Sequence, residues 1–178
     1  MSKVTHVMYR DSEGSIVTNV HVADIARADA VHRRMPLPFT PDYLVDNLDR
    51  SDLRVMSKKP YSIVAEQAGC DVGYLVAYER QAEECDGAKA MHIWLTGVVS
   101  SARRRGVLGV LLEALYKESR RRGRYWITVQ SDLKQFPAMI AALQKASDGH
   151  SAPGPGEIST SRYKIYGGLF AELSEKRY

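Results

Sequence analysis

The chain has 178 residues, 44% of them hydrophobic and 26% charged, with a formal net charge of +4. That length suits one domain with a real core, and the composition excludes a disordered or fibrous chain. No run approaches the roughly 18 apolar residues of a membrane span, and the opening MSKVTHVMYRDSEG lacks the apolar stretch of a secretory signal. Cys70 and Cys85 have no CxxC spacing, so reduced thiols and a cytoplasmic location are expected.

Residues 3–22 hold two extended stretches rich in β-branched residues, VTHVMYR and SIVTNVHV, separated by the turn DSEG. In ADIARADAVHRRM, Ile25, Ala28 and Val31 fall close to one helical face, and PLPF ends that helix. Thr40 and Pro41 suit the N-cap and first helical position of a helix over PDYLVDNLDR, with Leu44 and Leu48 on one face. YSIVAEQAG and VGYLVAYER read as strands joined by a short turn at Gly69–Cys70–Asp71. EECDGAK is a polar loop. AMHIWLTGVVS, apolar on both faces, has the pattern of a buried central strand.

GVLGVLLEALYKESRRRG predicts the strongest helix, with Leu108, Leu111, Leu112 and Leu115 as the apolar stripe. Glu113 and Lys117 pair outside it, and Gly123 is its stop. RYWITVQ is a further strand, FPAMIAALQKAS a short helix and SDGHSAPGPGE a loop, and STSRYKIYGG and LFAELSEKR are two paired strands. There is no internal repeat. The expected architecture is one mixed α/β domain, its sheet combining antiparallel meanders with a parallel crossover around the main helix.

Arginine is concentrated at Arg103–Arg105 and at Arg120–Arg124, with further basic residues at Arg33, Arg34, Lys58 and Lys59. Such clusters suit an anionic ligand. Nucleic acid is disfavoured and no metal is expected, because no zinc-finger spacing, RNP-like motif or heptad repeat accompanies them. The first cluster stands where an apolar strand runs into the main helix, with Gly106 and Gly109 at the helix start. A helix start offers unpaired N–H groups and the positive end of a dipole, which together bind a pyrophosphate. GxGxxG and GxxxxGK[ST] are both absent, which argues against NAD or a nucleoside triphosphate. The second cluster reads as a solvated helix end.

The stretch Val98-Val99-Ser100-Ser101-Ala102-Arg103-Arg104-Arg105-Gly106-Val107-Leu108-Gly109-Val110-Leu111-Leu112 resembles motif A of the GNAT acyltransferase superfamily. There a strand leads through [QR]-x-x-G-x-[GA] into a helix that opens with paired leucines. The order of elements is similar over nearly the whole chain. The resemblance implies a single domain over residues 1–178, with a mostly antiparallel mixed sheet splayed at a central parallel pair and flanked by helices. It also implies acetyl-CoA as acyl donor. Arg103 and the backbone N–H groups of Arg104, Arg105, Gly106, Val107, Leu108, Gly109 and Val110 would hold its pyrophosphate. The strand at Leu95, Thr96, Gly97, Val98 and Val99 would pair with its pantetheine. Leu108 departs from the motif, which has Gly or Ala there; a positive φ at that position would strain leucine by roughly 1–2 kcal/mol.

His92 stands six residues before Val98, where histone-modifying members of the family often carry a glutamate base. A histidine, with a reference pKa of about 6.5, suits a base near neutrality. The competing reading is a core histidine satisfied by a backbone carbonyl. Glu83, Glu84 and Asp86 are rival bases. The tyrosine that serves many members as general acid is missing, Leu143 standing in its place; Tyr163 and Tyr166 are the substitutes, with packing as their alternative role. The implied function is direct transfer of an acetyl group from acetyl-CoA to a primary amine on a small molecule or a protein. The alternative is a catalytically silent GNAT-like domain that binds CoA or a protein partner. The last strand is a candidate for pairing across a homodimer.

Overall fold

The computed structural model describes residues 4–6, 18–35, 59–82, 87–124, 126–131, 139, 141 and 163–167. Strands β1 (Val4–His6), β2 (Thr18–Val22), β3 (Tyr61–Gln67), β4 (Cys70–Ala82), β5 (Ala88–Val98), β6 (Trp126–Ser131) and β7 (Tyr163–Gly167) form one sheet in chain order. Helix α1 (Ile25–His32) follows β2, and α2 (Val107–Arg121) connects β5 to β6.

Antiparallel pairing joins β1 to β2, β2 to β3, β3 to β4 and β6 to β7, while β5 and β6 run parallel. Between β4 and β5, Val99 N–H bonds Val72 O and Gly87 N–H bonds Ala82 O, so that pair is a hairpin. The fold is therefore the expected mixed α/β arrangement, with α2 as the crossover that a parallel pair requires. The β5–β6 register runs from Ala90 opposite Trp126 to Ile93 opposite Val129, and β5 continues to Val98.

By its contacts the chain forms two compact units, Met1–Tyr78 with Leu95–Leu115, and Glu79–Trp94 with Tyr116–Tyr178. Strands β4 and β5 and helix α2 each contribute residues to both. In the first unit, Val31, Ile63, Val64, Leu75, Val110 and Leu111 are among the fully buried side chains. In the second, Met91 and Ile93 of β5 and Ile127 of β6 are buried, and Trp126 packs with Ala88 on Ala82 and Ala90.

Two local features correct the expectations. The β3–β4 turn is the two-residue loop Ala68–Gly69, with Gln67 opposite Cys70, not Gly69–Cys70–Asp71. Both loop residues have positive φ (49° and 76°), the primed geometry that matches strand twist and that glycine tolerates at its second position. On α2 the buried face is Val107, Val110, Leu111, Ala114 and Leu115, while Leu108 and Leu112 are half-buried. Valine and alanine hold the centre of that face. A count of leucines alone therefore placed the stripe about one position too far round the helix.

The helix ends follow their chemistry. Asp24 caps α1, its Oδ1 accepting from Arg27 N–H at 2.8 Å. Beyond α2, Gly123 at φ 68° is the expected stop, with Gly123 N–H on Arg120 O and Arg124 N–H on Ser119 O closing a Schellman motif. Among the described residues, no helix is long and apolar enough to cross a membrane. The helix expected over PDYLVDNLDR, the turn DSEG, the loop SDGHSAPGPGE and the strand LFAELSEKR lie outside the described residues. Of FPAMIAALQKAS only Met139 and Ala141 are described, both helical.

Candidate functional site

The end of β5 is bound tightly into the first unit. Thr96 Oγ1 donates to Tyr74 O at 2.9 Å, and Val99 N–H donates to Val72 O at 2.9 Å. A Cβ on Gly97 would fall 2.5 Å from Met35 Cε and Sδ and 3.2 Å from Tyr74 Cε1, so the end of the Met35 side chain occupies the space that glycine leaves. A single 3₁₀ turn, Ser100–Ala102, then reverses the chain. Arg103 folds back, its Nε donating to Val98 O at 3.1 Å. Of the segment expected to pair with a pantetheine, Leu95, Thr96, Gly97 and Val98 are on β5. Val98 O and Val99 N–H already have partners within the chain.

The turn into α2 has two residues in the left-handed region, Arg104 at φ 63° and Gly106 at φ 75°. Val110 N–H bonds Gly106 O at 3.1 Å, the first rung of the helix. The N–H groups of Val107, Leu108 and Gly109 precede that rung, and helix geometry gives them no partner in the ladder. Val110, expected among the donors, is thus engaged by the helix itself. Leu108 sits inside the first turn without a positive φ, so the strain its identity raised does not arise. A Cβ on Gly109 would meet nothing within 4 Å, and Gly109 is exposed. Gly73, which the sequence did not single out, lets α2 lie against bare β4 backbone: a Cβ there would fall 2.8 Å from Val107 Cγ1 and 3.3 Å from Leu111 Cδ1.

The two arginine clusters are electrostatically different. At the end of α2, Arg122 pairs with Glu118 at 2.7 Å and Glu79 at 3.2 Å, Arg124 with Glu79 at 2.7 Å, and Arg121 with Glu118 at 2.7 Å. The Arg121 hydrogen bond holds the Glu118 carboxyl below its ordinary pKa, despite partial burial. Burial pushes Glu79 up, but hydrogen bonds from Arg124 and Arg122 outweigh it and leave that carboxyl low as well. Arg120 lies over the Tyr116 ring, 5.7 Å from its centroid. Three of its four arginines are thus ion-paired with the two carboxylates Glu79 and Glu118. Arg103, Arg104 and Arg105 are all exposed, and among the described residues Arg104 and Arg105 make no ion pair. Arginines without an ion pair among the described residues therefore stand at the start of α2, beside the N–H groups that precede its ladder.

His92 lies on β5 in the second unit and is half-buried. Its Nδ1 is 2.8 Å from Oγ1 of Thr128, the residue opposite it on β6. Thr128 is 2% exposed, and Arg80 of β4 reaches the same oxygen through Nε at 3.3 Å and Nη2 at 3.2 Å. The sequence reading offered a backbone carbonyl as the partner of a core histidine. Nδ1 meets the Thr128 hydroxyl. Thr128 and Arg80 escaped that reading because each is an ordinary polar residue within its strand, and only the register brings them to His92. The β6–β7 register places Tyr166 opposite Thr128 and Tyr163 opposite Ser131. His92, Thr128 and Tyr166 thus occupy one row across three strands. Glu83, Glu84, Asp86 and Leu143 lie outside the described residues.

Comparison with solved structures identifies the fold as that of the GNAT acetyltransferases. An acetyltransferase of the GNAT family from Staphylococcus aureus Mu50 superposes with a TM-score of 0.56 at 10% identity, covering 84% of this chain and 99% of that one. A GNAT family acetyltransferase from Brucella melitensis, in complex with acetyl-CoA, gives 0.52 at 14%, covering 84% and 87%. An aminoglycoside acetyltransferase from an uncultured soil metagenomic sample gives 0.52 at 22%, covering 73% and 91%. At these identities the likeness is one of fold. A segment of 28 residues, 15% of this chain, is 71% identical to the small ribosomal subunit biogenesis GTPase RsgA of Variovorax paradoxus (strain S110) and spans 9% of that protein. No family model matches the chain.

Proposed function

We propose that this chain is an acetyl-CoA-dependent N-acetyltransferase acting on a primary amine. The observation that carries the reading is the junction of β5 and α2. There a left-handed turn at Arg104 and Gly106 leads into a helix whose first three N–H groups precede its hydrogen-bond ladder. Beside them stand arginines that no carboxylate neutralises among the described residues. That combination suits a pyrophosphate. The open space at Gly109 supports close approach of a ligand to the backbone. A GNAT fold around the junction supports CoA as the carrier of that pyrophosphate.

Acetyl-CoA supplies the acetyl group as an activated thioester. The residues of the chain would hold and orient it. The N–H groups of Val107, Leu108 and Gly109, with Arg104 and Arg105, would bind its pyrophosphate, and the Leu95–Val98 segment would lie along its pantetheine. The amine nitrogen gains the acetyl group and gives up one proton, and the thiol is released. His92 is the side chain assigned to this chemistry. Its role depends on which ring nitrogen is protonated, which its Nδ1 partner determines.

Calorimetry with acetyl-CoA, followed by a thiol-release screen over peptides, amino acids, polyamines and aminoglycosides, tests the reading. Saturable binding and acceptor-dependent thiol release are expected. A folded protein that binds no CoA overturns the proposal, and binding without release for any amine leaves the silent CoA-binding domain in its place.

A further inference from the structure

The contacts of Thr128 constrain His92 beyond what proximity alone implies. An arginine side chain is a donor only, and a threonine hydroxyl has two lone pairs and a single hydrogen. Arg80 directs both Nε–H and Nη2–H at Thr128 Oγ1, at 3.3 and 3.2 Å. The positive guanidinium turns the oxygen end of the hydroxyl dipole toward itself and the hydrogen away. With two N–H groups directed at the lone pairs, the hydrogen is what the hydroxyl has left for His92 Nδ1, 2.8 Å from the same oxygen. Thr128 is buried, so water does not compete for the hydroxyl, and the low local dielectric strengthens the orientation.

We infer that Arg80 and Thr128 are positioning residues that fix His92 in the neutral tautomer protonated at Nε2, with its lone pair at Nδ1 accepting from Thr128. Whatever meets Nε2 then meets a hydrogen-bond donor. The lone pair a general base requires is at the other nitrogen and is already engaged. In the proposed transfer a substrate atom that meets Nε2 would accept a hydrogen bond from it, and the ring has no lone pair left to take a proton from the amine. Neither does it release its own, because loss of Nε2–H from a neutral ring would leave an imidazolate.

The tautomer does not depend on the transferase reading, although its catalytic consequence does, and the test separates the two. Long-range proton–nitrogen correlation spectra of the full chain, labelled at histidine and recorded well above the histidine titration, report each ring nitrogen directly. The His92 signals are assigned by their loss in His92→Gln. Nδ1 is expected to be pyridine-like and displaced by an accepted hydrogen bond, and Nε2 to be pyrrole-like. Thr128→Val should move Nδ1 to its unbonded position, while Thr128→Ser should leave it in place. A pyrrole-like Nδ1 in the parent, or no movement in Thr128→Val, overturns the inference whether or not the chain binds CoA. Where acyl transfer is measurable, His92→Gln, which keeps an N–H donor, should retain at least about tenfold more kcat/KM than His92→Glu, a base without one. The reverse order overturns the donor role.

Discussion

Val107 Cγ1 lies 2.8 Å from the point where a Cβ on Gly73 would stand, so the first turn of α2 rests on β4 backbone that only glycine leaves bare. Gly73→Ala must push Val107 outward, and a β-branched side chain held in a helix has little freedom to yield. Stability should fall by about 1–3 kcal/mol, as over-packing does. The junction N–H groups move with the turn, so CoA affinity should fall too. Gly109→Ala is the counterpart. Its Cβ enters open space, so stability should rise by up to about 1 kcal/mol from helix propensity. CoA affinity should still drop if the ligand approaches that backbone. Melting and calorimetry on the two variants decide the point, and unchanged affinity in both would remove the junction from CoA binding.

Arg104 is held at φ 63°, a conformation that strains any residue with a Cβ. Strain of this kind persists where surrounding structure or function maintains it. Arg104→Gly should relieve roughly 1 kcal/mol and raise the melting temperature of the free protein. It also removes a charge from the proposed pyrophosphate site, so CoA affinity and its salt dependence should both decrease. Gly106→Ala, at φ 75°, should lower stability by a similar amount without changing charge. An Arg104→Gly protein that is stabilised and binds CoA as the parent does would assign the arginine no part in binding.

Much of the fold was legible because it rests on local patterns. The β-branched runs of β3, β4 and β6, the amphipathic run of α2 and the terminal Gly123 all found their places. What was not legible depended on pairing between distant segments. The hairpin shifted by a residue because Ala68, a poor indicator of positive φ, takes one of the two loop positions. At the site, the glycines of the junction stood out, but the ion pairing of the second arginine cluster did not. Glu79 is more than forty residues from Arg122 and Arg124 in sequence. The setting of His92 was hidden for the same reason, since Thr128 meets it from β6 and Arg80 reaches Thr128 from β4.

That second arginine cluster gives a control. Replacing Arg120, Arg121 and Arg122 with alanine should leave CoA affinity little changed, while stability at neutral pH falls. Glu118 has a depressed pKa in the folded chain, so its contribution is present above the unfolded carboxylate value of about 4.3 and is lost as pH falls through the folded value. The stability difference between parent and variant should therefore narrow in acid. Denaturant titrations at neutral and acid pH, alongside calorimetry, measure both. A large loss of affinity would place the anion site at the wrong end of α2.

The His32–Tyr74 pair makes a prediction of opposite origin, since burial and not charge pairing sets it. His32 Nδ1 and the Tyr74 hydroxyl are 2.5 Å apart, at 4% and 2% exposure. Desolvation lowers the His32 pKa, and burial raises that of Tyr74, so the pair is a neutral imidazole and an intact phenol near neutral pH. Above the unfolded histidine value of about 6.5 neither state of the chain takes a proton, and the pair has no effect on pH dependence. As pH falls below it, the unfolded chain is protonated first, and stability declines until the folded pKa is reached. His32→Leu should abolish that decline. It also leaves the Tyr74 hydroxyl without its partner, and Tyr74→Phe does the same to Nδ1, so each single change should cost about 1–3 kcal/mol. The double variant removes both groups together and should cost less than the sum, because no orphaned partner remains at that contact. Denaturant unfolding of the four proteins from pH 5 to pH 8 gives the slope and the coupling at once. Strict additivity, or a decline that survives in His32→Leu, would show that the two rings do not act as a pair.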